Sequence, residues 1–317
     1  MTAMSSLQSN RPRIGMTLFP ADLSPYTMTE RRRLLDDMAA AGLDHIHCGD
    51  HVSFHDGSGW DGLISATTLL SLHDTLAVHL GLYVLPLRHP VLVARQLATL
   101  CEYAPGRLVF TVGVGGDDPR EVAMCGIDPR TRGRRMDEML TVLRQLLTGQ
   151  PVTFSGRFFT LDAAVVRPAP TPPVPILVGG RSDAAIRRTA KFGDGWLGIW
   201  ISAQRFASVA AQMSELADQA GRTGVAWRHG MDIWCGVDTD RAVARRAVST
   251  AMEALYRLPA SQFERWCPAG TPEEVAAFVA PYIEAGAQDI SLIVRGRNLP
   301  AAIASAAEVQ RLLLRHA

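Results

Sequence analysis

The chain has 317 residues, 47% of them hydrophobic, and 32 Lys+Arg against 31 Asp+Glu give a net charge of +1. That composition can bury a full core, as one large domain or two ordinary ones, and the balanced charge disfavours nucleic acid or anionic lipid as a partner. Five scattered cysteines without a C-x-x-C pair, a start "MTAMSSLQSNRPR" without an apolar leader, and no apolar run of spanning length lead us to expect a cytoplasmic protein with reduced thiols and no membrane contact.

Residues 1–12 read as a flexible arm. RIGMTLF (13–19) reads as a strand and TERRRLLDDMAAAG as a helix, with Thr29 as N-cap, Leu34, Leu35 and Met38 on one face, and Gly42 as the stop. LDHIHCG (43–49) is a second strand and LISATTLLSLHD (63–74) a helix. LAVHLGLYVLP (76–86) is apolar almost throughout, as a strand buried on both faces is. A helix follows at 89–104 with Pro90 in its first turn, then a strand at 107–115 ending in glycines and a helix near 131–148. The proline-rich run 149–174 reads as an excursion.

The alternation resumes with PILVGG (175–180), a helix, DGWLGIW (194–200), a helix over 202–220, HGMDIWCGV (229–237) and another helix. A second irregular stretch at 257–270 precedes a helix with Thr271 as N-cap, Pro272 at N1 and Gly286 at its end. QDISLIV (288–294) is the last strand and 300–314 the last helix. Alternating strands and helices imply a parallel sheet. Eight such units predict an α/β fold, a (β/α)8 TIM barrel over 13–317 as a single domain, with insertions near 149–174 and 257–270. An open doubly wound sheet is the alternative.

A barrel of this kind keeps its chemistry at the C-terminal strand ends. That rule selects GDH (49–51), VLPLRH (84–89), GVGGDD (113–118), GGRSD (179–183), GIW (198–200) and VRGR (294–297). HIHCGDHVSFHDG holds His45, His47, His51 and His55, and the H-x-H pair resembles a metal motif. Zinc needs three or four converging ligands. Seven of the nine histidines lie before residue 90, and Lys191 is the only lysine. We therefore expect no metal, His45 and His47 in the barrel wall, and His55 in solvent. His51, at a strand tip, reads equally as a general acid–base group or as a loop cap.

Gly113, Gly115 and Gly116 could let backbone approach a ligand, or could simply turn the chain. Gly179 and Gly180 run directly into a helix whose N-terminus favours an anion, with Ser182 or Asp183 to cap it and Arg181 to add charge. Trp60, Trp196 and Trp200 fall near strand ends, where aromatic residues are more often core than cofactor stack. Arg134 reads as part of a solvated helix start within reach of a ligand.

Three stretches taken together, GLYVLPLRHPVLVARQLATLCEYAPGRLVFTVGVGGDDPRE, RGRRMDEMLTVLRQLLTGQPVTFSGRFFTLDAAVVRPAPTPPVPILVGG and DGWLGIW, resemble the bacterial luciferase-like monooxygenase superfamily. Within it the chain is similar to the branch that uses the deazaflavin coenzyme F420, from about residue 13 to 315, with GTPEEVAAF also typical. The resemblance implies hydride transfer between coenzyme F420 and a small-molecule substrate, in a direction left open. It implies Asp50 and His51 at the site, His51 as base, and Asp117 as proton donor. It also implies a non-prolyl cis peptide backing the ring at Tyr83–Val84, and Gly179–Gly180 at the cofactor phosphate. Arg181 or Arg295 would replace the family's phosphate-binding lysines. A homodimer is the implied assembly. Use of FMN with oxygen, as a monooxygenase, is the nearest alternative, and a non-catalytic flavin-binding barrel is the third.

Overall fold

Each of eight parallel strands has both faces covered, and this is legible in their residues: GMDIWCGV is buried at every position. A computed structural model describes residues 11–115 and 118–315. The strands are β1 (Arg13–Thr17), β2 (His45–Cys48), β3 (Ala77–Val84), β4 (Leu108–Gly113), β5 (Ile176–Gly179), β6 (Gly195–Ile199), β7 (Gly230–Val237) and β8 (Asp289–Arg295). They pair in chain order, β1 with β8, and Leu197 and Ile199 of β6 pair with Gly230 and Asp232 of β7, so the sheet closes. The expected TIM barrel is the fold, and the open doubly wound sheet is excluded by that pairing.

Helices between the strands bury one stripe each, and the main ones begin at α1 (Met28–Ala40), α2 (Gly62–Leu72), α3 (Pro90–Tyr103), α4 (Arg132–Leu146) and α5 (Asp183–Phe192). The cap of α1 is Thr27, not Thr29. Thr27 is extended and accepts from the Glu30 amide while Glu30 reaches back to the Thr27 amide, which leaves Thr29 inside the first turn. Thr271 caps Pro272–Glu284 as expected.

Both irregular stretches lie between elements of the barrel. Residues 149–174 hold an antiparallel hairpin, Val152–Ser155 with Thr160–Ala164, followed by cis Arg167–Pro168 and Thr171–Pro172 bonds. Residues 257–270 hold two short 3-10 turns, Ala260–Gln262 and Glu264–Trp266. A second hairpin, His51–Phe54 with Ser58–Trp60, follows the end of β2. Most of the expected N-terminal arm lies outside the described residues; Arg11 is tied to Asp44 by an ion pair.

The N-terminal end of the barrel interior is a buried charge cluster. Asp289 accepts from Arg13 Nε at 2.8 Å and from Arg228 Nε at 2.6 Å. Burial alone would raise this carboxyl, but Arg228 and Arg13 hold it below the usual range. His45 and His79 stack with ring centroids 3.7 Å apart, and His45 Nε2 lies 3.0 Å from Ser291 Oγ. Burial pushes His45 down to about 3. His45, His79 and Asp289 offer three potential metal-ligating atoms within 4.8 Å of one another. Two guanidinium groups already occupy the carboxylate, and Arg228 also reaches His79 Nε2 at 3.2 Å, so the cluster already carries more positive than negative charge and disfavours a further cation.

Candidate active site

At the opposite end, the strand tips surround a cleft of about 320 Å³. It is lined by Thr17 of β1, His47 of β2, Leu82 of β3, Gly113 of β4, Gly179 of β5 and Asp232 of β7, with Asp50, His51, Gly115, Gly180 and Arg181 from the loops. The sequence-predicted residues 50, 51, 84, 113, 115, 179, 180 and 181 thus share one mouth. Asp117 and Gly116 lie outside the described residues.

Asp50 is fully engaged. Oδ1 accepts from the Gly62 amide at 2.9 Å and from Arg88 at 2.6 Å, and Oδ2 accepts from the Val84 amide at 2.9 Å. Burial raises its carboxyl, opposed by Arg88 and those amides. The expectation of a catalytic Asp50 is therefore corrected: with both oxygens held by protein donors, it ties the tip of β2 to the end of β3 and to α2.

His51 has a partner that sequence reasoning missed. Its Nδ1 lies 3.2 Å from both oxygens of Glu121, on the short helix Pro119–Met124. Glu121 also accepts from the Val52 amide at 2.7 Å and the Ser53 amide at 3.2 Å. Burial pushes the Glu121 carboxyl up, but the His51 imidazole and these two amides outweigh it and hold the group below its ordinary value. With Nδ1–H donated to Glu121, Nε2 becomes the proton-accepting nitrogen. The ring stacks on Phe54 at 4.1 Å, which fixes its plane. His55 is half-buried rather than solvated, its ring 4.0 Å from that of Phe54.

The predicted cis peptide is displaced by two residues, to Gly81–Leu82 rather than Tyr83–Val84. Leu80 pairs with Phe110 and Tyr83 with Val112, so β3 carries one residue more than β4 across this bulge. The extra residue turns Tyr83 away from the cleft. Its buried ring packs on Phe110 at 5.2 Å and under the Arg88 guanidinium at 4.4 Å, which removes it from the cofactor-binding candidates. Leu82 takes the place facing the cleft. A Cβ on residue 179 would fall 2.1 Å from Leu82 Cδ2, and one on residue 113 would fall 3.0 Å from Leu82 Cδ1. These glycines make room for a leucine platform.

At the end of β5, Gly180 has φ of +116°, a left-handed conformation suited to glycine. Ser182 caps α5, its Oγ accepting from the Ala185 amide at 3.2 Å, and it stands outside the cleft lining. Arg181 does line it, its guanidinium 5.4 Å from the Trp200 ring. Trp196 is core, donating to the Gly180 carbonyl at 2.8 Å, whereas Trp60 and Trp200 line the cleft. Arg134 is exposed and Arg295 pairs with Asp22 at 3.3 Å; neither lines the cleft.

Comparison with known proteins adds a family to this geometry. The family described as luciferase-like monooxygenase matches residues 16–262. An uncharacterised protein of Mycobacterium tuberculosis is 37% identical over 139 residues, 44% of this chain and 48% of that one, so the match spans about half of that relative's length. An F420-dependent glucose-6-phosphate dehydrogenase of Kineococcus radiotolerans is 28% identical over 299 residues, 84% of this chain and 85% of the relative. Among solved structures, an F420-dependent secondary alcohol dehydrogenase in complex with an F420–acetone adduct superimposes with a TM-score of 0.79, at 21% identity, covering 94% of this chain and 98% of that one. At that identity the likeness speaks for the fold.

Proposed function

The chain belongs to the luciferase-like monooxygenase family, and from that membership we propose that it is an oxidoreductase moving hydride between coenzyme F420 and a small organic substrate. The observation that carries the proposal is that the Glu121-held His51 opens onto the same cleft as the Gly179–Gly180–Arg181 turn. An acid–base group and an anion-accepting turn are what a phosphate-bearing hydride carrier requires. Relatives named for F420 dependence favour that carrier.

The residues fit the group. Leu82, Val84 and Gly113 form a wall for a flat ring, and the Gly179–Gly180 backbone with Arg181 would hold a phosphate. When bound, the deazaflavin supplies a ring carbon that gives or accepts hydride. The chain does the rest. His51 Nε2 takes the proton from a substrate hydroxyl, or returns it, with Glu121 stabilising the imidazolium. Asp50 holds the His51 tip against Val84 and Gly62, which fixes the base relative to the wall. Asp117, four residues beyond the last residue of β4 in the sequence, is the candidate second proton donor. Family membership supports a homodimer, and five free cysteines support a reducing, cytoplasmic setting.

Titration of the purified protein with F420 and with FMN, followed by cofactor fluorescence, tests the reading. We expect saturable F420 binding that weakens on Arg181→Ala. Tight FMN binding with no F420 binding would overturn it.

A further inference from the structure

The cleft has two unlike halves. The arc β3–β4–β5 presents Leu82, Gly113 and Gly179, while the arc β7–β8–β1–β2 presents Asp232, Trp234, Ile293, Thr17 and His47. The first arc is the cofactor wall proposed above. The second arc has no role in that reading, yet it holds buried polar atoms without partners.

His47 and Asp232 are 4% and 8% exposed, and His47 Nε2 and Asp232 Oδ1 have no hydrogen-bond partner among the described residues. Nε2 stands 3.7 Å from Asp232 Oδ2, beyond hydrogen-bond length. Three indole nitrogens, of Trp60, Trp200 and Trp234, are equally buried and unpartnered, and all three residues line the same cleft. An orphaned buried donor or acceptor costs on the order of 1–3 kcal/mol, so five of them on residues that line one cavity favour a ligand that completes the bonding.

We propose that this half of the cleft binds an uncharged cyclic alcohol or ketone, its oxygen between His47 and Asp232 and its ring among Trp60, Trp200 and Trp234. His47 Nδ1 lies 3.2 Å from Thr17 Oγ1. With the Thr17 hydroxyl donating to Nδ1, the ring proton sits on Nε2 and points at the ligand. A substrate hydroxyl can accept that proton and donate to Asp232 Oδ1, satisfying both orphans with one group. A carbonyl does the same when Asp232 carries its proton, a form that burial favours.

Charge argues for a neutral ligand. Arg181 is the only Arg or Lys among the described residues lining the cleft, and it lies against Trp200 at the cofactor turn. Arg295 sits behind the Phe19 and Trp234 rings, 4.8 and 5.3 Å from their centroids, and is paired with Asp22. A phosphate at the inner end would face a carboxyl group with no free cation beside it. The sugar phosphate in the name of the relative from Kineococcus radiotolerans is therefore not expected in this half of the cleft.

The proposal rests on the F420 reading only in giving the other arc to the cofactor, and its test runs with or without cofactor. Tryptophan fluorescence follows titration with cyclohexanol, cyclohexanone and glucose 6-phosphate, on free and F420-loaded protein. We expect saturable binding of the cyclic pair and none of the sugar phosphate. Asp232→Leu should weaken cyclohexanol at least tenfold, and Trp234→Phe about threefold, both keeping the wild-type circular dichroism and F420 affinity. Failure of F420 binding alone defeats the cofactor reading and leaves the alcohol arm standing. Absence of cyclohexanol and cyclohexanone binding, equal binding of glucose 6-phosphate, or unchanged cyclohexanol binding in both variants would overturn the proposal. A tenfold loss of F420 affinity in Asp232→Leu with cyclohexanol unaffected would overturn it too, by giving the pair to the cofactor.

Discussion

His51 Nδ1 is equidistant, at 3.2 Å, from the two oxygens of Glu121, a residue 70 positions along the chain. Two consequences follow for catalysis. His51→Ala should lower turnover by about 10²–10⁴, the usual worth of a positioned acid–base group, with F420 affinity within twofold of wild type. Glu121→Gln keeps an acceptor but loses its charge. A hydrogen bond to a charged group is worth about 1.5–3 kcal/mol, so kcat should fall roughly tenfold to a hundredfold with KM little changed. Steady-state kinetics with F420 and the best alcohol substrate checks both.

Glu121 also links stability to pH. Its folded-state value is depressed from the ordinary 4.5, so the folded protein holds the proton more weakly than the unfolded chain. The stabilisation is present above about pH 4.5 and is lost as pH falls through the lower folded value. Urea titrations between pH 7 and pH 3 should show wild type losing stability across that window more steeply than Glu121→Gln. Parallel losses in the two proteins would remove this assignment.

Leu82 fills the space that a side chain at position 179 would need. Gly179→Ala should push Leu82 into the cleft and weaken F420 binding tenfold or more, while overpacking costs about 1–3 kcal/mol of stability. Leu82→Ala in the same chain should recover much of both losses. Thermal melts and cofactor titration of the two variants measure the coupling.

Asp289 is buried between Arg13 and Arg228 at the other end of the barrel. Asp289→Asn leaves two guanidinium groups without their counter-charge, and removing one partner of a buried pair typically costs about 3–5 kcal/mol. Denaturant unfolding should show this as a lower midpoint at unchanged slope. The cleft lies at the opposite strand ends, so F420 affinity of the folded fraction should be unchanged.

The five thiols should differ sharply in reactivity. Burial pushes Cys48, Cys235 and Cys267 up to about 12 and Cys101 up to about 11, whereas Cys125 is half-buried. Ellman's reagent on the native protein should label Cys125 first, and the other four only on unfolding. Fast labelling of more than one thiol would contradict the packing.

Much of the architecture was legible along the chain. The eight strands announced themselves as apolar runs bounded by caps and glycines, and β7 is buried along its whole length as GMDIWCGV suggests. The start of α1 was readable too: Thr27 and Glu30 have the three-residue spacing of a reciprocal cap, a stronger signal than Thr29 next to the apolar face. The site was legible only where it sits at strand tips. Tyr83 enters the site only through the cis peptide that the resemblance implies; that bond lies at Gly81–Leu82, and the extra residue between Leu80 and Tyr83, which sequence periodicity does not reveal, changes which side chains face inward. Glu121 and Asp232 carry no local motif. Each acquires meaning only when closure of the ring brings it beside a histidine from the β2 region, a relation between distant positions that periodicity does not encode.

Because β6 pairs with β7, no strand of the ring is outermost. An open sheet exposes a row of amides and carbonyls on which another chain can add a strand; here the eight-stranded ring is closed, and the sheet's one terminal strand among the described residues is the two-residue Ala269–Gly270, paired to the end of β7. Among the described residues, the rims that stay available belong to the two short hairpins, at 51–60 and 152–164, and to Ala269–Gly270. Intermolecular strand addition to the folded protein is thereby confined to segments of at most five residues, and aggregation through the main sheet requires the barrel to open first.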